Sequence, residues 1–167
     1  WQNRKMINRE KLATLNHREQ QTFLARNPKS KAAFENADHL FGKVPMTWMN
    51  KKAGGFPIYL DRAFGNRIWD IDGNEYIDFA LGDTGAMCGH APDATVKAVQ
   101  AQIAKGSTYM LPTENAIASA NLLADRFGLP KWQFTLTATD ANRHILRYAR
   151  HVTGRQKIAV HDYCYHG

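Results

Sequence analysis

Four consecutive residues, Thr137, Ala138, Thr139 and Asp140, combine hydroxyl groups, small side chains and one carboxylate. They follow an apolar run and directly precede apolar residues at helical spacing, so they are predicted to begin a helix. The free backbone N–H groups and the dipole of a helix N-terminus favour an anion, and a phosphate in particular. The alternative interpretation is an ordinary N-cap, in which Thr or Asp only closes the start of the helix.

The neighbouring elements that must position this turn are predicted to form a strand, turn, helix and strand. The apolar run from Trp132 to Leu136 predicts the first strand, and the run from Lys157 to His161 predicts the second. Gly154 stands where a glycine commonly ends a helix. Neither G-x-x-x-x-G-K-[ST] nor G-x-G-x-x-G after a strand occurs in the sequence, so neither of these nucleotide-binding loops is supported.

Several short blocks of this region, taken in order, resemble the class III aminotransferases. The blocks are Thr137-Ala138-Thr139-Asp140-Ala141, Arg147-x-Ala149-Arg150, Thr153-Gly154-Arg155-x-Lys157 and Cys164-Tyr165-His166-Gly167. The family usually has Ser-Gly-Thr-Glu-Ala in the first block, so three of its positions carry related residues here. The resemblance covers roughly residues 30–167. It implies an α/β protein, the N-terminal part of the fold-type I transferase fold that uses pyridoxal 5′-phosphate. That part comprises N-terminal helices and a small antiparallel sheet, then the start of a large mixed-sheet domain.

The resemblance also implies roles for individual residues. The cofactor-binding positions that it implies are Thr137, Ala138, Thr139, Asp140, Tyr165, His166 and Gly167. The residues at 137–139 match the phosphate cradle, Asp140 matches the carboxylate beside the cofactor, and Tyr165 matches the aromatic residue that stacks on its ring. The lysine that carries the cofactor in the family lies downstream of the Tyr-His-Gly motif. The chain is therefore predicted to be an N-terminal fragment that contains no catalytic residue and is inactive by itself.

Trp48 is predicted to be a substrate-binding residue. The chain looks like the branch of the family that contains glutamate-1-semialdehyde aminomutase and the β-amino-acid aminotransferases. Counting back from Gly54 and Gly55, the substrate arginine of the aminomutase would fall near Trp48. An indole cannot form the paired hydrogen bonds with a carboxylate that a guanidinium forms. The resemblance therefore favours a transaminase, with an aminomutase-like isomerase as the alternative.

Further segments also resemble this family. The stretch from Gly65 to Phe79 predicts two strands joined across Asp72-Gly73-Asn74, because Asp-Gly between alternating runs is typical of a hairpin. A preceding strand is predicted at Ile58–Leu60. The glycine-rich loop from Gly82 to His90 borders the active-site cleft in the family, and His90 is interpreted as a structural hydrogen-bonding residue.

Besides the polar, helix-permissive residues 1–26, three helices are predicted outside the Thr137 region. Ser30 is expected to cap one helix over 31–41, and Asp93 is expected to cap another. A third is predicted to start at Pro112-Thr113-Glu114 and to end at Gly128.

The charge is concentrated at the N-terminus. Residues 1–52 contain 11 Lys and Arg against 4 Asp and Glu, whereas residues 53–167 contain 11 of each kind. The acidic residues are interspersed among the basic ones, which favours a solvated helical extension over a nucleic-acid-binding arm. A non-catalytic basic binding protein is the alternative from a different functional class.

Composition and cysteine content also bound the function. The sequence shows no signal peptide and no apolar run long enough for a membrane span. Cys88 and Cys164 lack metal-ligand or redox spacing. We therefore expect a cytoplasmic protein without a metal and with neither nucleic acid nor a membrane as a partner.

Three segments are predicted along the chain. Residues 1–52 form a helical extension, residues 53–105 form the N-terminal part of a small domain, and residues 106–167 form the truncated start of the domain that binds pyridoxal phosphate. The implied partners are a small-molecule amino donor, an acceptor and a second copy of the chain. The apolar loop from Ser107 to Glu114 is expected to reach toward the partner subunit of this homodimer.

Overall fold

The computed structural model describes residues 7–50 and 54–164 of the chain. It divides into two compact units, Trp1–Ser107 and Thr108–Gly167. Tyr165, His166 and Gly167 lie outside the described residues, as do residues 51–53, where the first predicted segment boundary falls. The division into three segments therefore stays a prediction.

Two helices open the first unit. Helix α1 spans Arg9–Arg26, and the side chain of its N-cap, Asn8, accepts a hydrogen bond from the Lys11 N–H at 2.9 Å. Helix α2 spans Pro28–Glu35. The predicted helix over 31–41 with Ser30 as its cap was wrong, because α2 already begins at Pro28. Proline suits that first helical position, where its missing N–H has no intrahelical acceptor. Ser30 consequently lies inside the first turn.

Two short 3-10 helices, Phe41–Lys43 and Thr47–Asn50, follow α2 and lead toward a small sheet. Strands β1 (Leu60–Phe64), β2 (Arg67–Asp70) and β3 (Glu75–Ile77) form this antiparallel sheet in the order β1-β2-β3. The two strands and the hairpin predicted between Gly65 and Phe79 are confirmed. The preceding strand was predicted at Ile58–Leu60, but β1 spans Leu60–Phe64.

The hairpin between β2 and β3 fastens helix α2 to the sheet. The Asp72 carboxylate accepts the N–H groups of Lys29 and Ser30 at 2.6 and 2.9 Å and the Ser30 hydroxyl at 2.7 Å. These N–H groups belong to the first turn of α2 and lack intrahelical acceptors. Asp72 therefore caps a helix that lies far from it in sequence.

Asp70 is buried at the base of the same hairpin, with 2% of its surface exposed. Its carboxylate accepts hydrogen bonds from the backbone and side chain of Asn74 at 2.8 and 2.9 Å and from the Tyr76 hydroxyl at 2.8 Å. Burial alone would raise the pKa of Asp70, but these hydrogen bonds outweigh burial and lower it.

An aromatic cluster forms the apolar centre of the first unit. The Phe56 ring lies 4.9 Å from the Phe23 ring and 6.5 Å from the Phe34 ring, measured between centroids. Phe56 is buried, as is Val44. A side chain at Gly54 would collide with the Phe23 ring, which explains the glycine at that position.

Helix α3, Asp93–Ile103, ends the regular structure of the first unit. Pro92 occupies the N-cap position, so the prediction that Asp93 caps the helix was wrong by one residue. Asp93 lies in the first turn, where its negative charge is favourably placed near the positive end of the helix dipole.

The second unit contains two helices, α4 (Glu114–Phe127) and α5 (Ala138–Thr153). Gly128 and Gly154 end them at φ angles of 69 and 65 degrees, which confirms both predicted stops. The strands predicted at 132–136 and 157–161 are not formed. Within the described parts of the chain these runs have no pairing partner, and a strand requires hydrogen bonds to a neighbouring strand. Over the same described parts, no helix combines the length and apolar character needed to span a membrane.

Candidate functional site

The turn before α5 forms a helix cap. Thr137 is the N-cap residue, with φ −142 and ψ 159 degrees. Its hydroxyl accepts the Asp140 N–H at 3.1 Å and donates to the Asp140 carboxylate at 3.1 Å, while its carbonyl accepts the Ala141 N–H at 3.1 Å. This pairing of Thr with an acid three residues later resembles a capping box. Thr137 is therefore the N-cap of α5, and its role in binding a phosphate stays a prediction.

Ala138 and Thr139 occupy the first two positions of α5, beyond the reach of this cap. N–H groups at these positions have no intrahelical acceptor. Among the hydrogen bonds found in residues 7–50 and 54–164, none uses either group. Both residues are exposed, so these groups and the Thr139 hydroxyl can be reached by an anion. Ala138 is helical, and its φ is not positive.

The charges at this turn are mixed. The Asp140 carboxylate would repel an anion, but Arg143 places a guanidinium nitrogen 3.6 Å from one of its oxygens. Both side chains are substantially exposed, so solvent weakens this pair. The helix dipole adds partial positive charge at the same point. The turn therefore combines N–H donors with a carboxylate that already has two partners.

Arg150 belongs to the Arg-x-Ala-Arg block near the end of α5. Its Nε donates to the Gln156 carbonyl at 2.9 Å. The Gly154 N–H donates to the Arg150 carbonyl at 2.9 Å. Arg150 thus holds the chain in place directly after α5, which gives this arginine of the block a structural role.

Trp48 belongs to the first unit, whereas the turn at 137–140 belongs to the second. It lies on the 3-10 helix Thr47–Asn50 with 60% of its surface exposed. The Asn50 side chain fixes this helix by donating to the Gly42 carbonyl at 2.9 Å. The indole is therefore presented to solvent from a supported backbone, and its substrate-binding role stays a prediction.

Other groups predicted at the cofactor, Tyr165, His166 and Gly167, lie outside the described residues. The described chain next to them is exposed at Tyr163 and Cys164. Their roles, and the grouping of these three residues with the turn at 137–140, stay predictions.

His90 makes the structural hydrogen bond predicted for it. Its Nε2 lies 2.7 Å from a carboxylate oxygen of Asp78. The other oxygen of Asp78 accepts the N–H groups of Ala80 and Leu81 at 2.8 and 2.9 Å. The hydrogen bond from His90 is the main cause that lowers the pKa of Asp78. Sequence reasoning placed Asp78 inside the predicted strand and assigned it no role, whereas β3 ends at Ile77 and Asp78 directly follows it.

A cleft of about 430 Å³ lies beside α1 in the first unit, and Phe23, Arg26 and Tyr76 are among its lining residues. Among the predicted site residues that the structure describes, none lines this cleft. This cleft and the predicted chemistry thus involve different residues, and a cleft alone specifies no ligand.

Comparison with known proteins identifies the family. Residues 48–167 match the class III aminotransferases. A glutamate-1-semialdehyde aminomutase from Pseudomonas aeruginosa PAO1 superposes with a TM-score of 0.88 and 43% identity, over 96% of this chain and 36% of that one. The chain belongs to the class III aminotransferase family, and its fold is that of the fold-type I transferases that use pyridoxal phosphate.

Relatives within this family include both transaminases and aminomutases. An omega-transaminase from Sphaerobacter thermophilus has a TM-score of 0.76 and 36% identity, covering 83% of this chain and 32% of that one. Glutamate-1-semialdehyde 2,1-aminomutase from Thermodesulfovibrio yellowstonii is 40% identical over 118 residues, which is 70% of this chain and 28% of the relative. The chain thus spans about a third of the length of its relatives. These findings confirm the predicted family and fold class.

Proposed function

We propose that this chain is part of an aminotransferase that moves an amino group between a donor and a keto acid or aldehyde by means of pyridoxal phosphate. The family match over residues 48–167 carries this proposal. The same match favours an enzyme over the non-catalytic basic binding protein.

The donor set at the start of α5 fits the phosphate of this cofactor. We assign the phosphate to the N–H groups of Ala138 and Thr139 and to the Thr139 hydroxyl, all of which are accessible. Two similar structures support the cofactor itself: one is a transaminase with pyridoxal phosphate bound, and the other is an aminomutase in complex with PMP. When bound, pyridoxal phosphate supplies the electron sink that allows an amino group to be exchanged.

Each residue of the turn contributes a different physical effect in this proposal. Thr137 fixes the direction of the first helical turn through its hydrogen bonds with Asp140. Arg143 offsets part of the Asp140 charge. Tyr165 would stack on the cofactor ring, with His166 and Gly167 beside it. The chain's own contribution is thus to bind and orient the cofactor.

The amino donor is expected to meet Trp48. An aminomutase of this family would need a cation for its carboxylate substrate near this position, and an indole cannot supply one. The residue therefore supports a transaminase. An aminomutase is the second candidate, because similar relatives at about 40% identity carry that activity in their names.

We also propose that the whole protein is a cytoplasmic homodimer. Two apolar residues of the loop before α4, Met110 and Leu111, are 101% and 78% exposed in the isolated chain. Exposed apolar side chains in one loop are typical of surfaces that contact a partner. Sedimentation of the whole protein as a monomer at all concentrations would contradict the dimer.

Spectroscopy and turnover of the whole protein test the central proposal. Addition of pyridoxal phosphate should produce a protein-dependent visible absorbance band. An amine with pyruvate should then give the matching ketone and alanine. Isomerisation of glutamate-1-semialdehyde without an added acceptor would instead support the aminomutase. Absence of both the band and turnover would overturn the proposal.

A further inference from the structure

Helix α1 is held mainly at its C-terminal end. In the part of the chain that the structure describes, none of its residues is buried, and over residues 7–21 only Leu15 is partly covered. Near the end of the helix, the Phe23 ring lies 4.9 Å from the Phe56 ring. Most of the stability of a helix in a protein comes from tertiary packing. The docking of α1 therefore depends on the few contacts of its last turn.

The turn between β2 and β3 supplies the polar part of this docking. The Asn74 side chain donates to the Arg26 carbonyl at 3.1 Å and accepts from the Arg26 guanidinium at 3.3 Å. The Arg26 carbonyl is at the C-terminal end of α1, where carbonyls lack intrahelical donors. Asn74 thus caps the end of α1, just as Asp72 caps the start of α2. We call the turn formed by residues 72–74 the latch.

A single residue, Asn27, separates α1 from α2. The following Pro28 disfavours a helical conformation at Asn27, which has φ −128 and ψ 47 degrees. Helix α2 is held by Asp72 on the far side of this residue. Rotation about the backbone of Asn27 would therefore swing α1 while α2 stays in place, so Asn27 has the position of a hinge.

The cleft of about 430 Å³ in the first unit is bounded by α1. Asn16, Gln20 and Phe23 line it from the helix, and residues three or four apart share one helix face. Ile58 and Tyr76, which are distant from α1 in sequence, also line the cleft. Because α1 forms one of its walls, the cleft would open to solvent if the helix swung away.

Gly54 shows how closely α1 approaches the rest of the unit. A Cβ at this position would lie 2.4 Å from a carbon of the Phe23 ring, well inside normal contact distance. Gly54 does not have a positive φ, so an alanine there would act by displacing the ring and not by straining the backbone. A substitution at Gly54 can therefore push α1 from its docked position without altering the latch.

We propose that α1 is a strap that closes the cleft, with Asn27 as its hinge and the latch as the contact that keeps it closed. In the open state α1 leaves the unit as one segment, and the side chains of Phe56 and Ile58 become accessible, while α2 and the sheet stay folded. The strap does not depend on the amino transfer proposed above, because all of these contacts lie within the first unit.

Hydrogen exchange of the whole protein tests whether α1 opens as one segment. In the wild type, the backbone amides of residues 13–26 should share one level of protection, because a single opening releases all of them. This level should be lower than that of β2, the central strand of the sheet. Fraying would instead give protection that falls steadily toward Arg9. A graded profile of that kind, or equal protection in α1 and β2, would refute the strap.

Loss of the latch should make this opening more frequent. Asn74→Ala removes both side-chain bonds to Arg26, so exchange across α1 should accelerate about tenfold while β2 stays within about threefold. Tyr76→Phe is the matched control, because it removes a bond to the same Asp70 carboxylate that Asn74 contacts and leaves the Arg26 bonds intact. Equal acceleration of α1 in both variants, or none in Asn74→Ala, would refute the latch.

Gly54→Ala should open the strap independently of the latch. It displaces the Phe23 ring and should accelerate exchange across α1 about as much as Asn74→Ala does. Gly85→Ala is the matched control, because a Cβ at Gly85 would meet only the Gly82 carbonyl at 3.4 Å. Acceleration of β2 equal to that of α1 would show that the whole unit unfolds and would refute a separate strap.

Thiol labelling tests whether α1 closes the cleft. Ile58→Cys places a thiol in the cleft, and the exposed Cys88 of the same unit is the internal reference. Peptide masses separate these two thiols from any others in the whole protein. Gly54→Ala and Asn74→Ala should each raise the labelling rate at position 58, relative to Cys88, about tenfold. An unchanged ratio in both variants would refute closure of the cleft by α1.

Discussion

Removal of the Thr139 hydroxyl should weaken binding of pyridoxal phosphate by the whole protein. This hydroxyl is accessible at the second position of α5 and has no capping role. Loss of one hydrogen bond to a charged group costs about 1.5–3 kcal/mol. At about 1.4 kcal/mol per factor of ten, Thr139→Ala should raise the dissociation constant roughly tenfold to 100-fold.

Thr137→Ala should behave differently, because the Thr137 hydroxyl already bonds with Asp140. Its loss should destabilise the protein by about 1 kcal/mol through the helix cap. Its effect on the cofactor should be smaller than that of Thr139→Ala. Thr139→Ser retains a hydroxyl and should bind within about threefold of the wild type. Thr95→Ala, at an exposed threonine of α3, is the control and should change neither property.

Titration of the apo-protein with pyridoxal phosphate measures these effects through the absorbance band, and urea unfolding measures stability. Unchanged dissociation constants for both Thr137→Ala and Thr139→Ala would place the phosphate elsewhere. Equal losses of affinity in Thr139→Ala and Thr139→Ser would show that the threonine methyl group matters and not the hydroxyl. Either result would refute the assignment of donors at the start of α5.

Three further predictions concern the ring, the isolated chain and pH. Tyr165→Ala should weaken the cofactor several-fold and Tyr165→Phe should not, because ring stacking contributes about 1 kcal/mol; equal losses in a titration would implicate the hydroxyl. The 167-residue chain mixed with pyridoxal phosphate and an amino donor should form ketone no faster than free cofactor, and faster formation would contradict the assignment of catalysis elsewhere. Burial would raise the pKa of Asp72, but hydrogen bonds from Ser30 and Lys29 outweigh it and lower the pKa. Asp72 should therefore stabilise the fold above its unfolded pKa of about 3.9, and this contribution should disappear as pH falls through the lower folded value. Urea unfolding from pH 7 to pH 2 should show a smaller acid loss for Asp72→Asn, and an identical pH profile would contradict the cap.

Local signals predicted the local structure well. Gly128 and Gly154 end their helices by adopting a positive φ, which depends only on the residue at that position. The hairpin at Asp72-Gly73-Asn74 was likewise predictable, because the residues of the turn themselves determine it. The bond between Asp72 and Ser30 was not predicted, because its partners are brought together only when the hairpin docks on α2. The error in the start of α2 has a local cause, because Pro28 suits the first helical position and the helix therefore begins before the apparent Ser30 cap.

The unformed strands have another physical cause. Val160 and Leu136 have the apolar character of buried strand residues, yet they are 71% and 97% exposed. Sequence pattern indicates that a segment can form a strand, but its backbone is satisfied only by a neighbouring strand. Within residues 7–50 and 54–164 these runs have no such neighbour. Family resemblance supplied the expectation of a mixed sheet, which residue patterns of this chain could not supply.

In the proposed site, the two sequence interpretations of the turn before α5 apply to different residues and do not compete. Thr137 satisfies the Asp140 N–H, which is the third of the helix. That bond fixes the backbone of the first turn, and so it also fixes the directions of the Ala138 and Thr139 N–H groups. A helix whose third N–H is capped still has its first two N–H groups available. In the proposed site the cap would hold these two donors in place for an anion, while the Thr137 hydroxyl bonds with Asp140. Ala138 suits this arrangement because a helical residue presents its N–H along the axis without needing the positive φ that would require glycine.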